Sequence, residues 1–151
     1  MTYKGKYKLK KPKKYKGDPN SVTYRSHWER QVFRWCETNS NVEWWSSEEL
    51  VIPYRCATDN KNHRYFVDVV IKFKDIDEVR CVEIKPKAQT EAPKKSKGKT
   101  RQRLLQEGLT YAKNVSKWNA AQKFCEKRGW RFEIWTEDTL QSLGISLLLK
   151  R

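Results

Sequence analysis

Tyr65-Phe66-Val67-Asp68-Val69-Val70 and, beyond a polar turn, Cys81-Val82-Glu83-Ile84-Lys85 are the stretches that decide the fold. Both are rich in β-branched and aromatic residues, which suit a pleated, half-buried surface. The runs 64–73 and 79–85 flank Lys74–Glu78, so together they read as a β-hairpin. With the turn centred between Asp75 and Ile76, Asp68 falls opposite Glu83. Two acids facing each other across a sheet repel. Val67, Val69, Val82 and Ile84 flank them on the other face, which places the acids in mid-strand. A divalent cation between the carboxylates would relieve the repulsion, because Mg²⁺ takes carboxylate oxygens and waters, often from one or two protein acids. Glu83 and Lys85 share a strand face by the period of two. A lysine beside a metal can hold or deprotonate a water that the metal has already acidified. The same residues also fit an exposed sheet face with an ordinary Lys–acid pair, and the spacing alone does not separate the two.

A third acid, Glu29, lies in Ser26-His27-Trp28-Glu29, at capping-box distance from Ser26. The helix it opens, about Ser26 to Glu37, carries Trp28, Val32, Trp35 and Cys36 at helical spacing. Glu29 borders that apolar stripe, so it is either a cap or a third carboxylate reaching toward the hairpin.

The remaining segments read as a strand at Glu49–Arg55, with Pro53 marking an edge or a bulge, and a helix from about Arg101 to Arg128, broken near Asn114–Lys117. Gly129 stops that helix as a C′ residue. A short strand at Trp130–Thr136 and a helical turn at Glu137–Leu143 follow. The order α-β-β-β-α-β-α implies an α/β fold, a mixed central sheet flanked by helices.

The 151 residues suit one domain, with 33 Lys+Arg against 18 Asp+Glu, a net charge of +15 and 37% hydrophobic residues. Mean hydropathy is low at −0.97, yet 13% of residues are aromatic, which sets the chain apart from disordered ones. No apolar run is long enough for a membrane span, and the Lys-rich start lacks the apolar region of a secretory signal. Neither a membrane nor a secreted protein is expected. Cys36, Cys56, Cys81 and Cys125 form no C-x-x-C pair and no His stands at zinc-ligand spacing from them, so structural zinc is not expected and all four read as reduced core residues.

The charge is concentrated. Residues 1–20 hold Lys4, Lys6, Lys8, Lys10, Lys11, Lys13, Lys14 and Lys16 against Asp18, a net +7. Residues 91–103 hold Lys94, Lys95, Lys97, Lys99, Arg101 and Arg103 against Glu91, a net +5. These segments read as a basic flexible arm (1–20) and a basic loop (91–103) on a domain spanning 21–151, both mobile without a polyanion. Tyr3, Tyr7 and Tyr15 interleave with the lysines, as suits nucleic-acid stacking beside phosphate neutralisation. A solvated tail that keeps the protein soluble is the alternative. Neither segment has an apolar helical face for a membrane surface.

Tyr-Arg-Ser-His-Trp-Glu-Arg (24–30), Arg-Tyr-Phe-Val-Asp-Val-Val-Ile (64–71) and Val-Glu-Ile-Lys-Pro (82–86) together resemble the PD-(D/E)xK nuclease superfamily. Within it the chain resembles TnsA-type transposon-end endonuclease domains and, more strongly, the small head-completion nucleases of T-even-type phages. Arg128–Asp138 resembles the strand and helix that close TnsA-type domains, so the likeness runs from about Tyr24 to Asp138. Val67 stands where the family usually has proline. The resemblance implies a restriction-endonuclease-like fold and a metal-dependent DNA endonuclease, with Glu29, Asp68, Glu83 and Lys85 as catalytic residues. It implies metal ligation by Asp68, Glu83, the Ile84 carbonyl and Glu29, with Mg²⁺ as cofactor and Mn²⁺ able to substitute. It further implies double-stranded DNA as substrate, phage head or neck proteins as partners, and action in the host cytoplasm or on the virion during head completion and DNA packaging. The basic segments lie outside these motifs.

His63 could touch a phosphate, His27 less readily, and Gln102 and Gln106 could orient DNA. Trp44-Trp45 reads as a hydrophobic cap or a partner surface. Gly98 in Lys-Gly-Lys-Thr lacks the frame of a phosphate loop. Competing functions are a non-catalytic DNA-binding structural protein of the phage head, a transposase-type end-cleaving subunit, and an RNA-binding protein of ribosomal type. The last leaves the two strand acids unexplained.

Overall fold

A computed structural model describes residues 3–148. Eight strands and three helices follow in the order β1 (Gly5–Lys6), β2 (Thr23–Tyr24), α1 (His27–Thr38), β3 (Val42–Ser46), β4 (Val51–Arg55), β5 (Asn62–Phe66), β6 (Val69–Phe73), β7 (Glu78–Ile84), α2 (Arg101–Glu126), β8 (Arg131–Trp135) and α3 (Glu137–Ser142). The main sheet runs β3-β6-β7-β8, with β8 parallel to β7 and the other pairs antiparallel. It is the mixed sheet that the sequence implies, flanked by helices in a restriction-endonuclease-like arrangement.

The central strands are buried on both faces, which explains their near-continuous apolar sequence. Val69, Ile71 and Phe73 of β6, with Val82 and Ile84 of β7, pack against Val32, Phe33 and Cys36 of α1 and Leu140 of α3. Val70, Val79 and Cys81 face the other way, onto Ala121 and Cys125 of α2 and onto Ile52, Tyr54 and Tyr65 of the β4–β5 ribbon. Each fully buried large apolar side chain contributes about 1.5–3 kcal/mol. All four cysteines are free thiols in these two cores.

The hairpin has the expected register. Val69 pairs with Val82, Val70 with Cys81 and Phe73 with Glu78. The run 64–73, however, is two strands, so Asp68 is not in mid-strand paired with Glu83 but in the bend between them. β5 pairs with β4 in a separate two-stranded ribbon, and the chain crosses to the main sheet at Val67–Asp68. Val67 donates its N–H to the Leu50 carbonyl and accepts one from Glu48 (3.0 Å each). Pro53 pairs with Arg64 in this ribbon.

Three other features depart from the sequence reading. Trp44-Trp45 is neither a cap nor a surface but part of β3, an edge strand of the main sheet, with Trp45 fully buried. α2 is unbroken through Asn114–Lys117, because Asn114 and Trp118 are buried and the face packs continuously. Finally, residues 3–20 are packed rather than detached. Lys4-Gly5-Lys6-Tyr7-Lys8-Leu9-Lys10 alternates exposed lysines with half-buried residues, and Tyr7 and Leu9 pack on the main core. Tyr7 donates to Glu37 Oε1 (2.6 Å), and the N–H groups of Lys10 and Lys11 donate to Glu37 Oε2 (2.8 Å each). Tyr15 is buried edge-on against Trp45 at 4.8 Å between ring centroids. Tyr7 and Tyr15, read as stacking groups, therefore serve the core, and Tyr3 packs on Tyr24 and His27, while the charge argument weighed only their lysine neighbours. The basic loop is likewise tied down: Lys99 Nζ donates to Glu107 Oε2 (2.9 Å) and to the Lys94 carbonyl (2.7 Å).

Candidate active site

The crossing at Val67–Asp68 builds the site. Glu83 has the same parity in β7 as Cys81, which puts it on the α2 side of the sheet, and Asp68 and Lys85 reach it from the bend before β6 and from just past the end of β7. Asp68 Oδ2 accepts the Ile84 N–H at 2.9 Å, which locks the carboxylate against the strand carrying Glu83 and Lys85. Glu83 is 6% exposed and accepts a hydrogen bond from the Tyr65 hydroxyl. The Lys85 ammonium lies 3.6 Å from Glu83 Oε1. Lys85 in turn is fixed at its backbone, where its N–H donates to the Trp135 carbonyl at 3.1 Å.

Glu29 arrives from the first turn of α1. Ser26 caps that helix, its hydroxyl accepting the Glu29 N–H at 3.2 Å, which is the expected half of the capping box. The reciprocal half is altered: Glu29 Oε2 accepts from the N–H of Arg25, at 2.5 Å, rather than from Ser26. Arg25 also grips Glu48 with two guanidinium contacts, 2.7 and 3.1 Å. Glu48 adjoins the crossing through its N–H bond to Val67.

The electrostatics report a concentration of acid. The Asp68 carboxyl is pushed well above the ordinary carboxylate range, first by burial, then by the negative charge of Glu83 and of Glu29. Burial also raises Glu29, with Glu48 and Glu83 adding to it. The Tyr65 hydroxyl is driven far up by burial and by Glu83 and Asp68, so it stays a donor. Lys117, on α2, sits with its ammonium 5.7 Å from the centre of the Tyr65 ring. Burial lowers its pKa, while the charge of Glu83 opposes that shift. Lys117 and Glu48 lie outside the motifs, and Tyr65 and Arg25 lie within them but carry no role in the motif. The only sequence trace of Tyr65 is its place three residues before Asp68, and Lys117 falls where a helix break was expected.

The other candidates lie apart. His63 pairs with Asp59 at 2.7 Å at the far end of β5, and His27 Nε2 contacts the Leu148 carbonyl at 3.0 Å. Gln106 lines a cleft of about 870 Å³ with Gln89, Lys94, Lys99, Arg103 and Asn114, whereas Gln102 borders a different, more open hollow. Of the basic residues, Lys14 is turned inward onto the Asn39 carbonyl (2.9 Å) and Lys99 onto Glu107. Lys4, Lys6, Lys8, Lys10, Lys11, Lys13 and Lys16 are exposed. Among the described residues no helix is long and apolar enough to cross a membrane.

Asp68, Glu83 and Lys85 thus gather beside the facing helix that carries Lys117, and Glu29 lies near enough for its charge to act on Asp68. Comparisons with known proteins give the family. The family model described as "TnsA-like endonuclease N terminal" matches residues 39–137, a span that holds Asp68, Glu83 and Lys85 and begins after Glu29. The chain is 44% identical over 147 residues to the "Head completion nuclease" of Enterobacteria phage T4, covering 95% of this chain and 97% of that protein. No solved structure matches. The chain belongs to the TnsA-like endonuclease family.

Proposed function

We propose that this nuclease is a divalent-metal-dependent endodeoxyribonuclease that cuts double-stranded DNA during phage head completion. The observation that carries the proposal is the Asp68–Ile84 hydrogen bond, which joins the acid of the strand crossing to the Glu83–Lys85 strand. The residues present suit a metal. Asp68 is pushed up by burial and by two further acids, so a cation there would relieve both the repulsion and the desolvation. All the side-chain donors are hard carboxylate oxygens, which favour Mg²⁺, with Mn²⁺ as a substitute. Asp68 and Glu83 would hold the ion, with the Ile84 carbonyl and Glu29 as further donors. When bound, it would neutralise the scissile phosphate and acidify a water.

The chain's own residues do the rest. The Ile84 N–H and the Tyr65 hydroxyl fix the orientations of Asp68 and Glu83, an outer shell of the kind that supports metal ligands. Lys85 orients the attacking water or stabilises charge that develops on the phosphate. Lys117 adds positive charge from α2. The exposed lysines of the N-terminal segment and of residues 91–103 bind the duplex through its phosphates, independent of sequence. Head completion is the role carried in the name of the phage T4 relative. This chain would act in the host cytoplasm during virion assembly, with head or neck proteins as its neighbours.

Incubation with supercoiled plasmid tests the proposal. Wild type should cut in Mg²⁺ or Mn²⁺ and stop in EDTA, and Asp68→Asn and Glu83→Gln should not cut. If both variants cut at the wild-type rate, the chain is a DNA-binding scaffold instead.

A further inference from the structure

At the tip of the β4–β5 ribbon, away from the acidic site, the turn Cys56-Ala57-Thr58-Asp59-Asn60-Lys61 leads into Asn62 and His63. One ligand atom each from Cys56, Asp59 and His63 lie within 4.8 Å of one another. Counting cysteine pairs passes over this spacing, C-x₂-D-x₃-H, because only one of the three residues is a cysteine.

The turn is built around that cluster. Its backbone closes on itself, with the Cys56 N–H on the Lys61 carbonyl (2.9 Å) and the Asn60 N–H on the Cys56 carbonyl (2.8 Å). Asn60 takes the left-handed conformation, φ 57°, which asparagine tolerates, and its side chain accepts from Arg55 at 2.9 Å. Cys56 is buried, 1% exposed. Its sulfur meets the Thr58 hydroxyl at 3.0 Å, a contact that holds the thiol below its ordinary range. A donor aimed at the sulfur favours the thiolate, the form that binds metal. Asp59 uses Oδ1 to accept the Lys61 N–H (3.0 Å), which presents Oδ2 to His63 Nε2 at 2.7 Å. The His63 ring is held by stacking on Tyr54, 5.7 Å between centroids. Sulfur, imidazole nitrogen and carboxylate oxygen thus converge on rigid supports.

We propose that Cys56, Asp59 and His63 form a second metal site, for a thiophilic divalent cation of the Zn²⁺ class, at the ribbon tip. Three protein ligands of this mixed set suit tetrahedral Zn²⁺ with a water in the fourth place. On binding, the thiol loses its proton to solvent, and the ion takes the place of the direct His63–Asp59 contact. The Ala57 N–H donates to Ser116 of α2 at 3.1 Å, so the site would pin the ribbon to the helix that carries Lys117.

Co²⁺ is a direct probe, because a thiolate ligand gives it a near-ultraviolet charge-transfer band that carboxylates do not. Titration of the full chain with Co²⁺ should produce this band, saturating at one equivalent, and Zn²⁺ should displace it. Cys56→Ser should abolish the band, and Asp68→Asn, which removes an acidic-site donor, should leave it unchanged. His63→Ala, at a half-exposed position where folding is not at stake, should weaken Co²⁺ binding at least tenfold. Absence of the band in wild type would overturn the proposal, as would a band unchanged in both Cys56→Ser and His63→Ala.

Discussion

Asp68→Asn should make the metal-free protein more stable while abolishing its cleavage. The Asp68 carboxyl is raised by burial, by Glu83 and by Glu29, so its ionised form is less stable folded than unfolded. Each unit of such a rise costs about 1.4 kcal/mol once the group is ionised. A carboxyl with a raised folded pKa binds its proton more tightly in the native state. Its penalty is therefore absent below the unfolded pKa, near 3.9, and grows as pH rises through the folded value. Asparagine removes the charge and keeps an oxygen to accept the Ile84 N–H, so the hydrogen bond at 2.9 Å survives. For a chain of this size, 1 kcal/mol of relief corresponds to about 2–4 °C in Tm. Thermal unfolding in EDTA at pH 8 should show Asp68→Asn melting higher than wild type by at least that amount, with the gap closing near pH 4. Added Mg²⁺ should raise wild type and not the variant. A variant that melts lower than wild type in EDTA at pH 8 would refute the reasoning that the carboxylates are held against one another.

Lys85→Ala should lose cleavage by about 10²–10⁴-fold, the usual scale for one positioned proton-handling group, with little change in DNA affinity by gel shift, since it is one cation among 33. Glu37→Ala strands the Tyr7 hydroxyl and two backbone N–H groups. Leaving the half-buried Tyr7 hydroxyl unpaired costs about 1–3 kcal/mol, so the change should loosen residues 3–16, read as faster trypsin cleavage there. Replacing Lys4, Lys6, Lys8 and Lys13 with serine should flatten the salt dependence of DNA binding by about 0.9 in log–log slope for each lysine that contacts phosphate. An unchanged slope would remove these lysines from the interface.

The hairpin register was legible because a period-two pattern fixes it once a turn is located: one slipped residue would bury the wrong face of both strands. The same pattern hid the crossing at Val67–Asp68. β5 and β6 are equally strand-like, and only their different partners, β4 and β7, separate them. Residues 3–16 were misjudged because eight lysines dominated the reading, although the alternation around Tyr7 and Leu9 already marked a strip with one inward side. Tyr65 meets Glu83, and Lys117 the Tyr65 ring, only through tertiary packing, which no local spacing encodes. The family model's start at residue 39 leaves Glu29 to be assigned from the helix geometry.

The central claim is that Asp68 and Glu83 hold one divalent ion beside Lys85. Anomalous diffraction from a crystal of the wild-type protein soaked in Mn²⁺ tests it most directly. The account predicts an anomalous peak bridging the two carboxylates, lost in Asp68→Asn. A Mn²⁺ peak elsewhere, with none between Asp68 and Glu83 in a protein that still cuts DNA, would contradict it.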